Sequence, residues 1–268
     1  MPDISLAVLA LLAAPATAQT TPAQPAPPVK PIAPSKVILV GDSTTQVMSG
    51  WGGSFCAYHV TSFMACVNLA RGGRSSGSYR AEGAWAVALN EMRVPGYRHI
   101  WVLIQFGHND QPGKPGRSTD LQTEFPANMR RYVEEARAAG ATPVLVTPLT
   151  RRTFKGGKLD NDLLPWADAI RRVAAETHAP LIDLNAESAA AVQAMGEDAA
   201  DRFAQLSKGS TATPPAPPAA TETVQQMGRI NLSFDRTHLG RTGADYFDAM
   251  VTRELATAVP DMRPLLVE

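Results

Sequence analysis

A chain of 268 residues, 44% apolar and 19% charged, is long enough to bury one substantial core, and its composition excludes a disordered or fibrous class. Lys and Arg together number 25, as do Asp and Glu, so no global field recruits nucleic acid or an anionic membrane. Any attraction for a charged substrate must be local.

The chain opens with an apolar run from Leu6 to Ala14, followed by Pro15-Ala16-Thr17-Ala18, the small-x-small form at which signal peptides are cleaved. Residues 1–19 are therefore expected to be a signal peptide and the protein exported, periplasmic or secreted; a short N-terminal helix packed on the domain is the alternative. The run is too short to span a bilayer, and nothing later approaches the ~20 apolar residues a spanning helix needs. Residues 20–35, dense in Pro and Ala, read as an extended linker. One domain is expected over 36–268, interrupted by a polar, low-complexity insertion at about 196–228 that contains Thr-Pro-Pro-Ala-Pro-Pro. That insertion is read as partly disordered, either a lid or a passive surface excursion. Cys56 and Cys66 are either one small disulfide loop or two buried thiols.

Within the domain, short apolar runs alternate with helix-length segments. The runs are Val37–Val40, Cys66–Leu69, Ile100–Ile104, Pro143–Val146 and Leu181–Leu184; the helices are expected over Ala81–Met92, Thr123–Ala139, Leu164–Thr177 and Thr242–Ala258. Near-continuous apolar strands imply burial on both faces. Alternation of strand and helix implies an α/β fold, a three-layer α/β/α sandwich around a five-stranded parallel sheet. In such sheets ligands bind beyond the carboxyl ends of the strands, so functional residues are expected in the loops there.

Gly41-Asp42-Ser43-Thr44 follows the first run and places a serine at a strand-to-helix turn, although the same residues are ordinary turn and capping chemistry. After the second run, Arg71-Gly72-Gly73-Arg74 lets backbone approach a ligand closely. After the third, Phe106-Gly107-His108-Asn109-Asp110 puts an amide side chain at the rim. Ahead of the last helix stands Asp235-Arg236-Thr237-His238, whose spacing lets a carboxylate hold one imidazole nitrogen while the other accepts a proton. Singly each has a bland explanation. Their joint placement at the carboxyl ends of successive strands and at the last helix is what carries weight.

These four blocks resemble those of the SGNH (GDSL-like) hydrolases, over most of residues 36–258. Gly-Asp-Ser-Thr, Ala-x-Gly-Gly-Arg-Ser, Phe-Gly-His-Asn-Asp and Thr-Pro-Leu-Thr-Arg-Arg look, more narrowly, like the rhamnogalacturonan acetylesterase branch; the Thr-Pro/Ala-rich insertion departs from its compact members. The resemblance implies a flavodoxin-like fold and a serine esterase without a cofactor or metal. It further implies Ser43 as nucleophile, His238 as base, Asp235 as its orienter, and the amides of Ser43 and Gly72 with the Asn109 side chain as oxyanion hole. The expected substrate is an acetylated polysaccharide or oligosaccharide, pectic rhamnogalacturonan first, with a monomeric enzyme. Lipase, thioesterase or acetylxylan esterase activity on the same scaffold is the alternative, and a non-catalytic polysaccharide-binding protein the alternative of another class.

Arg71, Arg74, Arg80, Lys114, Arg117, Arg151, Arg152, Lys155 and Lys158 fall in the loops after strands two to four. A basic rim that recruits a uronic-acid polymer is one reading, and ordinary surface charge the other. Arg74, His108, Arg151 and Arg152 are the candidate polar substrate contacts, with Arg151 and Arg152 placed to meet carboxylates. Trp51 is the candidate sugar-stacking ring, ahead of Tyr79 and Phe154; Trp166 has the spacing of a core residue.

Overall fold

The computed structural model describes residues 32–210 and 233–268. The signal-peptide segment, most of the linker and the Thr211–Ala220 tract lie outside the described residues. In chain order the elements are β1 (Ser35–Gly41), α1 (Gly52–Tyr58), β2 (Met64–Asn68), α2 (Ser78–Ala81), α3 (Ala84–Met92), β3 (Ile100–Gln105), α4 (Glu124–Ala138) and β4 (Thr142–Val146). A hairpin, β5 (Phe154–Lys155) and β6 (Lys158–Leu159), precedes α5 (Leu164–Thr177), β7 (Leu181–Ile182), α6 (Leu184–Met195) and α7 (Glu197–Asp201). The chain closes with α8 (Arg241–Ala258) and a 3₁₀ turn at Pro260–Leu265.

Strands β2-β1-β3-β4-β7 form one parallel sheet in that order. Side chains alternate across a strand, and the two cores follow that period. Val37, Leu39, Trp101, Leu103, Val144, Val146 and Ile182 pack on one face against α1, α6, α8 and the terminal turn. Ile38, Val40, Val102, Ile104 and Leu145 face the other way, against α3, α4 and α5. The sheet is thus covered on both sides, as the apolar runs imply, apart from β2, whose edge position leaves it half-buried. The order reverses between β1 and β3, which opens a crevice beyond their carboxyl ends.

Two elements differ from expectation for local reasons. The helix expected over 81–92 is split by Gly83, which adopts φ +79°, a left-handed conformation that ends one helix and starts the next. The early part of the expected insertion is ordered: Glu197–Asp201 is a helix with Ala200 buried. Cys56 on α1 and Cys66 on β2 are joined as a disulfide, their Cα atoms 5.4 Å apart, tying the edge strand to the helix that covers it.

Candidate active site

Ser43 stands two residues beyond β1, on a turn in which the Thr45 and Gln46 amides donate to the Asp42 carbonyl. The loop then doubles back over this turn: Trp51 N–H donates to the Thr44 carbonyl at 3.0 Å, and Ser49 Oγ donates to the Ser43 carbonyl at 2.7 Å. Gly50 permits the close pass, because a Cβ there would lie 2.2 Å from the Thr44 carbonyl carbon.

The far wall comes from the segment before α8. His238 Nε2 lies 2.9 Å from Ser43 Oγ, and His238 Nδ1 lies 3.0 Å from Asp235 Oδ2. Asp235 Oδ1 accepts from the amides of Thr237 and His238 at 2.8 and 2.7 Å, which orients the carboxylate. Burial alone would raise the Asp235 pKa; the His238 ring, its amide and its charge outweigh that and hold the carboxyl below its usual range. With Asp235 ionised and Nδ1–H donating to it, Nε2 carries the lone pair that faces the serine hydroxyl. That arrangement can remove the hydroxyl proton as the oxygen attacks a carbonyl.

The expected oxyanion donors lie at the same end of the sheet. Among the described residues, no acceptor within the protein engages the amides of Ser43 or Gly72. Asn109, on the loop after β3, donates through Nδ2 to the Arg74 carbonyl at 3.1 Å, while Arg74 Nη1 donates to the Gly72 carbonyl at 2.7 Å. The glycine loop and the asparagine are therefore bound to one another. Gly107 gives the β3 loop its course at φ +141°, where a Cβ would come 3.1 Å from Pro148.

Four of the candidate substrate contacts have other occupations. Trp51 is fully buried and donates through Nε1 to Gln105 Oε1 at 2.8 Å, so its ring is core and stacks on no sugar. His108 is 2% exposed, with Nδ1 3.4 Å from Asp42 Oδ2 and outside hydrogen-bond geometry. Burial, reinforced by Arg151 and Lys114, outweighs the attraction of Asp42 and lowers its pKa, which favours the neutral imidazole. Arg152 is completely buried and donates to backbone carbonyls of the 235–238 loop, out of reach of any substrate carboxylate. Arg74 engages Glu82 as well as Gly72, which makes it a tie within the oxyanion loop. Tyr79 is likewise buried, its hydroxyl on the Leu69 carbonyl, and Trp166 is a core residue as its spacing implies.

Arg151 does stand at the rim, donating to Thr237 Oγ1 and paired with Asp162. Lys114 donates through Nζ to the His108 carbonyl, and Arg117 approaches the Gly73 carbonyl at 3.5 Å. Lys114 and Arg117 thus touch the backbone of two blocks of the site, and Arg151 the side chain of a third. Burial, followed by the repulsion of Arg151 and Arg117, holds Lys114 below the usual lysine range. Arg80 and Lys155 are neutralised elsewhere by Glu135 and Asp160.

The support beneath Ser43 is the part that motif reading misses. Gln105 Nε2 donates to Thr44 Oγ1 at 2.7 Å, and Thr44 Oγ1 and N–H both donate to Asp42 Oδ1 at 2.8 Å. Trp51, Gln105, Thr44 and Asp42 form one fully buried polar chain. The signal for it in the sequence is Gln105 itself, a polar residue ending an apolar strand. Asp110, also buried, accepts from Ser76 and Thr119 and binds the β3 loop to the one before α2; burial pushes its carboxyl up to about 6.

Among the described residues no cluster of three His, Cys, Asp or Glu is placed to hold a metal ion, and no helix is long and apolar enough to cross a membrane. A serine–histidine–aspartate relay at the carboxyl edge of a parallel α/β sheet defines a serine-hydrolase class of site. The sequence profile of the GDSL-like Lipase/Acylhydrolase family matches residues 39–245, and the chain belongs to that family. It is 34% identical over 176 residues to the probable rhamnogalacturonan acetylesterase YesY of Bacillus subtilis, covering 65% of this chain and 78% of that one. Rhamnogalacturonan acetylesterase RhgT of the same organism is also 34% identical, over 63% of this chain and 73% of its own. Among solved structures, Bacillus subtilis YxiM superposes with a TM-score of 0.63 at 23% identity, over 85% of this chain and 58% of that one. The acetylxylan esterase Axe2 of Geobacillus stearothermophilus superposes at 0.55 with 15% identity, over 85% and 95%. These likenesses concern the fold.

Proposed function

We propose that the protein is a serine esterase that removes O-acetyl groups from an acidic plant cell-wall polysaccharide, with pectic rhamnogalacturonan the first candidate. The observation that carries the chemistry is the continuous relay from Ser43 Oγ through His238 to Asp235, at 2.9 and 3.0 Å. His238 Nε2 takes the hydroxyl proton while Ser43 Oγ bonds to the acetyl carbon. The negative charge that develops on the carbonyl oxygen is met by the Ser43 and Gly72 amides and the Asn109 side chain. Collapse expels the sugar hydroxyl, which leaves with the proton from His238, and acetyl-Ser43 remains. His238 then deprotonates a water molecule, which attacks the acetyl carbon, and acetate and free Ser43 result.

The substrate assignment is supported by the names of the two 34%-identical relatives and by the rim cations Lys114 and Arg117. A cleft edged by cations raises the local concentration of a polyanion, and salt screens that effect over about 10 Å at 0.1 M. Export is supported by the Leu6–Ala18 pattern together with the Cys56–Cys66 disulfide, a bond that persists in oxidising compartments.

Acetate release from acetylated rhamnogalacturonan, homogalacturonan, xylan and chitin oligomers tests the assignment. The fastest release is expected on rhamnogalacturonan, slowed by added salt. Equal rates on neutral xylan with no salt effect on either polymer would remove the acidic-substrate reading.

A further inference from the structure

Arg152 is the most deeply placed cation near the site, and no carboxylate among the described residues pairs with it. Its side chain is fully buried. Nη2 donates to the carbonyls of Asp235 at 3.2 Å and His238 at 2.8 Å, and Nη1 reaches the Thr237 carbonyl at 3.5 Å. Its own N–H donates to the Arg236 carbonyl at 2.9 Å. One residue therefore donates to all four consecutive carbonyls of the segment that carries both the base and its orienter.

The geometry suits a guanidinium, whose planar fork offers several donors in fixed directions, and no single-point ammonium can match it. Burial of an unpaired cation is costly, and it pulls the pKa of Arg152 down to about 10 against the attraction of Asp235 and Asp201. The group nonetheless stays charged at neutral pH, its neighbours being the negative ends of carbonyl dipoles. Arg152 follows the end of β4 by six residues, on a loop whose Leu149 is buried in the core beside Val144 and Val146 of that strand. It thus references a segment that enters the site more than 80 residues later to the same sheet that carries Ser43. A neighbouring tie acts on the segment's outer side, where Arg236 pairs with Asp201 and Glu197 of α7.

We propose that Arg152 is a positioning residue for ester hydrolysis: by holding the backbone of Asp235–His238 it keeps His238 Nε2 on Ser43 Oγ, without touching substrate. The inference rests on the esterase reading above. A misplacement of about 1 Å in such a site costs on the order of a hundredfold in rate.

The test uses the full chain with Arg152→Met and Arg152→Lys, following kcat and KM on p-nitrophenyl acetate and on acetylated rhamnogalacturonan. The rate at which phenylmethylsulfonyl fluoride modifies Ser43 and the thermal midpoint are measured alongside. In Arg152→Met, kcat is expected to fall about 10- to 100-fold with KM unchanged. The sulfonylation rate should fall in parallel, because it also depends on His238 meeting the hydroxyl. Arg152→Lys should recover part of both. If Arg152→Met does not fold, the lysine variant decides: a loss in kcat and sulfonylation at unchanged KM supports the proposal. A folded variant with kcat within twofold of wild type overturns it. So does a loss confined to KM on the polysaccharide, which would make Arg152 a substrate contact. Failure of the wild-type protein to hydrolyse either ester would instead overturn the esterase reading, and the two failures are distinct.

Discussion

Ser43 sits on a turn backed by Asp42, Thr44, Gln105 and Trp51, all inaccessible to solvent and linked side chain to side chain, whereas His238 and Asp235 keep 29% and 26% of their side chains exposed and hang from a segment held through its backbone. The first support grows out of the sheet, because β1 and β3 lie side by side and their ends need only local polar groups to finish them. The second belongs to a segment that arrives 195 residues after Ser43 and needs a tie of its own to that sheet. The contrast teaches that one hydrogen bond, Ser43 to His238, depends on two structures that should fail differently. Damage to the nucleophile side should appear first as lost stability, and damage to the acid–base side first as lost turnover.

The largest effect sharpens the acid–base half. His238→Ala should reduce kcat on p-nitrophenyl acetate by roughly 10⁴-fold or more, as loss of a triad base does, with little change in the unfolding midpoint. A loss below tenfold would break the comparison at its centre. Asn109→Ala, which straddles the two halves through its bond to Arg74, should lower kcat by about 10²- to 10³-fold, the magnitude of one missing oxyanion donor. Steady-state kinetics of the purified variant would expose a role confined to packing, because kcat would then stay near wild type.

On the nucleophile side, Gln105→Leu strands the Trp51 indole N–H in a dry environment, at a cost of about 1–3 kcal/mol in unfolding free energy. Urea denaturation should register that cost while kcat falls far less than in His238→Ala. The reverse pattern would show that the two supports do not divide the labour in this way.

The smallest effect concerns α6 and α8, the helices behind the acid–base segment. Burial first, then the hydrogen bond and charge of Glu187 and the charge of Asp183, push the Glu254 carboxyl up to about 8 from 4.5. An acid raised on folding binds its proton more tightly in the folded state, so its stability contribution is full below pH 4.5 and lost as pH rises toward about 8. Glu254→Gln should abolish that decline. Its advantage in thermal midpoint over wild type should therefore widen between pH 5 and about 8, and a difference independent of pH would refute the raised Glu254 pKa.

The same contrast explains what the sequence makes legible. The placement of Ser43, Gly72, Asn109, Asp235 and His238 is readable because each follows a strand or precedes a helix at the edge where a parallel sheet binds ligands, and apolar runs betray the strands themselves. The helix over Leu164–Thr177 coincides with its apolar spacing to the residue. Arg152, His108 and Trp51 mislead because local sequence carries no sign of a charged or aromatic side chain turning inward. Their partners, the carbonyls of 235–238, Asp42 and Gln105, are distant in the chain. Helix α7 hides in a polar stretch for a similar reason: Asp201 and Glu197 look like surface acids until Arg236 meets them. Whether Cys56 and Cys66 pair is likewise undecidable until α1 is seen to lie against β2.

The central claim, that Ser43 is the group acylated, is tested most directly by acetate release from acetylated rhamnogalacturonan with purified Ser43→Ala beside wild type. Steady release is expected from the wild-type protein and none above the uncatalysed background from the folded variant. Release by Ser43→Ala at the wild-type rate would contradict it.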